Sequence, residues 1–145
     1  DLRFNYITIH ISSGLNALKA VKKVAGKTKI IGVSILTSLD NKSLKEIGFN
    51  KDVKKLVLYQ ARLAAKANLN AIVCSPQEIK LVKKVFKKEI ITPGIRLPGE
   101  QKGDQKRVMT PKQAFKNGAT AIVMGRSLIK GNLKKNIHKL IRELN

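Results

Sequence analysis

The chain has 145 residues, of which 43% are hydrophobic and 4% aromatic, and 30 Lys and Arg stand against 9 Asp and Glu for a net charge of +21. That hydrophobic share excludes a disordered polypeptide, and no apolar run reaches the roughly 18 residues that a membrane helix requires. The sole cysteine, Cys74, excludes an internal disulfide and fits a reducing cytoplasm.

In chain order, Asp1-Leu2-Arg3 offers neither a basic n-region nor an apolar h-region, so no secretory signal is expected. Residues 5–11 then alternate in the manner of a strand. Gly26 follows a helical run where a left-handed cap is wanted, and residues 29–36 (KIIGVSIL) form a β-branched apolar run that predicts a second strand. Val53, Leu56, Val57, Gln60, Leu63, Ala64 and Ala67 share one helical face, with Asp52 at the predicted helix start. Residues 71–74 read as a third strand. Ser75-Pro76-Gln77-Glu78 follows with a hydroxyl cap, a proline at the first helical position and a glutamate three residues after the cap, which predicts a capping box. Residues 90–92 form a fourth strand, and Thr110-Pro111-Lys112-Gln113 repeats the helix-start pattern, closed by Asn117-Gly118. Residues 121–124 are a fifth strand, and Leu133, Ile137, Leu140, Ile141 and Leu144 mark the dry face of a last helix.

Five strand-helix units averaging about 29 residues specify an α/β domain of parallel strands joined by right-handed crossovers, with residues 1–145 as a single domain. Continuous apolar runs of this kind are what strands buried on both faces look like. Two architectures fit the element count: a doubly wound five-stranded sheet, and about five-eighths of a (β/α)8 TIM barrel. The second implies two unpaired sheet edges and an incompletely covered inner face, which favours pairing with another chain.

The distinctive polar residues follow strand C-terminal ends, where α/β folds place their sites. They are Leu36-Thr37-Ser38, Cys74-Ser75, Thr92-Pro93-Gly94-Ile95-Arg96 and Gly125-Arg126. An arginine presents a planar fork suited to phosphate oxygens, and a glycine lets a backbone N–H approach them closely. The helix after Arg126 is expected to aim its N-terminus at the same anion. His10 closes the first strand with no carboxylate partner to name beside it, so a structural role is expected, and His138 reads as surface. The lysines fall largely in pairs such as Lys54-Lys55 and Lys83-Lys84 on polar helix faces. With no tryptophan and no Cys/His zinc spacing, neither a nucleic-acid partner nor a bound metal is expected.

Six ordered segments then carry a resemblance: His10-Ile11-Ser12-Ser13-Gly14, Val33-Ser34-Ile35-Leu36-Thr37-Ser38, Val73-Cys74-Ser75-Pro76-Gln77-Glu78, Thr92-Pro93-Gly94-Ile95-Arg96, Gly103-Asp104-Gln105-Lys106-Arg107-Val108-Met109-Thr110-Pro111 and Val123-Met124-Gly125-Arg126. Together they resemble successive segments of bacterial-type orotidine 5'-phosphate decarboxylase, in order and at matching spacings. A hexulose-phosphate synthase, a sister phosphate-handling barrel, matches less well around Arg96 to Arg107. The resemblance implies a (β/α)8 barrel, usually a homodimer, that converts orotidine monophosphate to uridine monophosphate and carbon dioxide without a cofactor. It implies that Thr37 contacts the ligand near its pyrimidine and ribose end, and that Arg96, Gln105, Gly125 and Arg126 hold the phosphate, with Gln105 closing over it.

The first recognisable segment matches the family's fourth barrel strand, and Asp1-Leu2-Arg3 resembles the tail of the preceding helix. In the family, decarboxylation depends on an Asp-x-Lys-x-x-Asp array after the third strand, and on a lysine and an aspartate in still earlier strands. The triplet Asp52-Val53-Lys54 is no substitute, since it lacks the second aspartate. No catalytic residue is therefore assigned within the chain, which is expected to be inactive by itself and to need a second copy or a complementing N-terminal fragment. The alternatives are a non-catalytic remnant with weak nucleotide binding and a basic nucleic-acid-binding module.

Overall fold

A computed structural model describes residues 4–100, 103 and 107–145. Five parallel strands, β1 (Tyr6–His10), β2 (Lys29–Val33), β3 (Ala71–Val73), β4 (Glu89–Thr92) and β5 (Ala121–Ile122), form one sheet in the order β1-β2-β3-β4-β5. Every strand therefore pairs with its sequence neighbour. Doubly wound sheets reverse direction at a switch point, and this sheet has none, so the wound-barrel architecture is the one adopted.

Helices α1 (Leu15–Val24), α2 (Asn41–Glu46), α3 (Val53–Lys66), α4 (Ile79–Lys83), α5 (Pro111–Asn117), α6 (Arg126–Ile129) and α7 (Leu133–Leu144) connect and follow the strands. Their starts are mostly written locally. Asp52 Oδ1 accepts the Lys55 N–H at 2.9 Å at the head of α3, and that bond holds the exposed Asp52 carboxyl below its ordinary value. Thr110 and Gln113 form the expected capping box on α5, and Gly118 closes that helix at φ 106.

One helix start differs from expectation. The chain turns at residues 76–78 before α4 begins at Ile79, and Glu78 makes no side-chain cap bond. Its carboxylate is engaged instead by Arg107. An ion pair within a buried site outcompetes a single neutral cap bond.

The core packs Leu18 of α1, Val57, Ala61 and Ala64 of α3, and Ile79 and Val82 of α4 against Ile30, Ile72 and Ile90 of the sheet. At Gly32 the segments before α1 and after α3 press closely on β2, since an added Cβ would lie 2.8 Å from Leu69 Cδ1 and 2.9 Å from Ile11 Cγ1. On the opposite face, reached by strand alternation, Val33, Val73 and Ile91 remain partly exposed. At the lower end of that face Lys29 Nζ lies 2.8 Å from Glu89 Oε1 and donates to the Tyr6 hydroxyl at 3.1 Å.

Two expectations of burial fail for the same reason. β1 is an edge strand whose Tyr6 and Ile7 are exposed, and α7 has no buried residue, its Leu133, Ile137, Ile141 and Leu144 all facing solvent. These are surfaces that the next units of a closed barrel would cover. α7 keeps the apolar periodicity of its stripe, but none of its residues is buried.

Candidate functional site

The site is organised by the segment after β4. Gly94 adopts φ +75, the left-handed region open to glycine, and an added Cβ there would meet the Arg107 carbonyl oxygen at 2.8 Å. The backbone of Arg107 thus lies directly on Gly94. The Met109 N–H donates to Gly94 O at 3.2 Å and the Arg96 N–H to Met109 O at 3.1 Å, so the two limbs of the loop pair as a short parallel bridge between Ile95 and Met109. This neck fixes where Arg96 emerges. Its Nη1 donates to Ile95 O at 2.9 Å, and the buried Ser127 hydroxyl lies 3.4 Å from the same oxygen, tying α6 to the neck.

Arg96 and Arg126 meet in one cavity of about 500 Å³, which Gly103 of the loop also lines. Among the described residues of its wall, Lys130 and Lys139 add two cations and Glu100 an acid, leaving the described lining positive. Such a concentration of positive charge suits a multiply charged anion. Sequence reasoning missed both lysines. The available signal was spacing: Lys130 lies four residues beyond Arg126, and Lys139 three beyond Asn136, which also lines the cavity.

The remaining expected residues are distributed as follows. Gly125 caps α6, and an added Cβ on it would meet no atom within 4 Å. Thr37 is buried and packs toward Gly94, outside the cavity wall that holds the two arginines. Gln105 lies outside the described residues. The first two residues of α6, Arg126 and Ser127, line the cavity, so the helix start lies at its wall as expected. The helix is a single turn of four residues, and a dipole that short is weak beside the charged side chains.

Behind the neck, the buried Arg107 places Nη1 2.6 Å from Glu78 Oε2, while Nη2 donates to Leu36 O at 2.8 Å and Ile35 O at 3.3 Å. Nearby, burial pushes the Cys74 thiol up to about 12, the Glu78 charge adding to the rise and Arg107 opposing it. Because the folded state holds this proton more tightly, the thiol's contribution to stability is intact below the unfolded value near 9 and is lost as the pH rises from there toward 12. Alkylation of Cys74 by iodoacetamide at pH 8 is expected to run about a thousandfold slower in the native chain than in urea, and equal rates would contradict its burial.

The profile of the family described as Orotidine 5'-phosphate decarboxylase / HUMPS matches residues 1–139. Among curated proteins, the orotidine 5'-phosphate decarboxylase of Coxiella burnetii is 44% identical over 131 residues, covering 84% of this chain and 55% of its own length. That of Wolbachia sp. subsp. Brugia malayi is 42% identical over 144 residues, covering 97% and 64% respectively. The crystal structure of the Lactobacillus acidophilus orotidine 5'-phosphate decarboxylase superposes with a TM-score of 0.77 at 27% identity, over 97% of this chain and 63% of that one. The chain therefore spans between about half and two thirds of the length of the relatives it matches.

Proposed function

This chain belongs to the orotidine 5'-phosphate decarboxylase / HUMPS family, and we propose that it forms the phosphate-binding part of an enzyme that converts orotidine monophosphate to uridine monophosphate and carbon dioxide. The observation that carries this reading is the convergence of Arg96 and Arg126, from the ends of the neighbouring strands β4 and β5, on one cavity. A phosphomonoester carries about −1.5 to −2 charges at neutral pH, which two guanidinium groups balance. In this reading Gly125 leaves the cavity mouth free of a side chain for the phosphate, Gln105 closes over it, and Thr37 contacts the nucleoside end. Titration of the chain with uridine monophosphate and with uridine tests it: saturable, salt-weakened binding of the nucleotide and none of the nucleoside is expected. Absence of nucleotide binding sinks the reading.

Phosphate grip is binding energy remote from the reacting bond, and it assists chemistry where a catalytic array receives the substrate. A carbanion forming on a pyrimidine ring needs a cation and proton donor beside it, held by flanking carboxylates. The 145 residues contain no Asp-x-Lys-x-x-Asp motif. The decarboxylating groups accordingly come from polypeptide outside these residues, in the form of a complementing N-terminal segment, with a homodimer as the assembled state. The open edges of β1 and β5 and the exposed apolar stripe of α7 support such a partner. The 145-residue chain alone is expected to release no carbon dioxide from orotidine monophosphate, and steady turnover by the purified chain would overturn that expectation. No helix among the described residues is long and apolar enough to cross a membrane; a cytoplasmic location and the absence of a cofactor belong to the same proposal.

A further inference from the structure

Arg107 joins several segments of the rim through both its side chain and its backbone. Its guanidinium reaches Ile35 and Leu36, whose carbonyls immediately precede Thr37, and Glu78 at the head of α4. Its backbone carbonyl lies against Gly94, and the next residues close the neck from which Arg96 emerges. The side chain is nearly inaccessible at 8% exposure and Glu78 at 2%, so this arginine faces protein and not the cavity. It is not among the residues that line the cavity.

We propose that Arg107, oriented by Glu78, is a positioning residue for anion binding: it sets the distance between the segment bearing Thr37 and the neck bearing Arg96. The inference rests on the phosphate-site reading above. The physical reason is the fork of the guanidinium. One edge holds a carboxylate from α4 while another holds carbonyls from the β2 exit, and a planar, rigid donor group fixes both in a single geometry. A lysine in its place keeps the charge but offers one point donor on a flexible stem, so the neck and the β2 exit are no longer held in register. Loss of register at a binding site lowers affinity without any contact to the ligand being removed.

The test uses Arg107→Lys and Glu78→Gln in the full chain, with uridine monophosphate affinity by titration, inorganic phosphate as a second probe, and residue-resolved amide exchange. In folded Arg107→Lys, affinity for both probes is expected to fall about tenfold or more, with faster exchange at the Arg96 and Met109 amides and unchanged exchange in β2. Glu78→Gln retains shape and an acceptor, and is expected to show the same pattern more weakly. Should the lysine variant or Glu78→Gln fail to fold, Glu78→Asp, which keeps the counter-charge on a shorter stem, decides the matter. A folded variant with wild-type affinity, or lost affinity with wild-type exchange at the neck, overturns the positioning role. If the wild-type chain itself binds neither probe, the phosphate-site reading falls, and the positioning role falls with it.

Discussion

Arg126→Ala is expected to reduce uridine monophosphate affinity by about 10- to 100-fold, the equivalent of the roughly 1.5–3 kcal/mol that a charge-assisted hydrogen bond contributes. The residue is exposed and opens the single-turn helix α6, so its removal leaves the core untouched. Thermal stability should consequently stay within about 0.5 kcal/mol of wild type, as is usual for surface substitutions. Binding and folding are thereby separated in one variant. Arg126→Lys should recover part of the loss, because it restores charge without the bidentate fork. The wild-type affinity should weaken with added salt, since the cavity is open to solvent, whereas the alanine variant should show a shallower dependence. Unchanged affinity in Arg126→Ala would mean that the cavity shared with Arg96 does not hold the phosphate.

The second large effect is on stability. Glu78→Ala leaves the Arg107 guanidinium buried without its counter-charge, and breaking a buried pair in this way costs about 3–5 kcal/mol. A domain of this size has about 5–15 kcal/mol in total, so the variant should lose a large share of its stability. Urea denaturation measures this directly as a lowered midpoint with an unchanged slope. Replacing both partners together, Glu78→Leu with Arg107→Met, should cost much less than Glu78→Ala, because no uncompensated charge remains. The contrast with the pair Lys29 and Glu89 is instructive. Those side chains are 45% and 38% exposed, so solvent screens their attraction and the pair adds little to stability. A loss of under about 1 kcal/mol in Glu78→Ala would show that the Arg107 pair behaves like a surface pair.

Glu78 also shows where sequence reasoning reaches its limit. The pattern Ser75-Pro76-Gln77-Glu78 carries every local sign of a capping box, and the same pattern at Thr110-Pro111-Lys112-Gln113 forms one. The difference is Arg107, 29 residues further along the chain, which engages the Glu78 carboxylate. A cap is a competition between nearby groups, and its outcome changes when a distant charge enters the same buried volume. The segment from Gly103 to Arg107 resembles a loop whose Gln105 closes over a phosphate. Its last arginine turns inward instead, and burial of that side chain has no signature in a window of sequence.

The binding residues divide in the same way. That Arg96 and Arg126 follow strand ends was visible from the order of apolar runs and turn residues. That they share one cavity, joined there by Lys130 and Lys139, required β4 and β5 to be neighbours and α6 to dock on Ile95.

By itself the sequence determined the α/β class, the number of strands, the helix starts at Asp52 and Thr110, and the family, because each rests on periodicity, on caps within one turn, or on short motifs in order. The tertiary structure alone decided the strand order without a reversal, the exposure of β1 and of the α7 stripe, and the pairing of Glu78 with Arg107. Those are long-range outcomes: they depend on which surfaces meet and which find no cover, and no local run of residues encodes the neighbour that will be there.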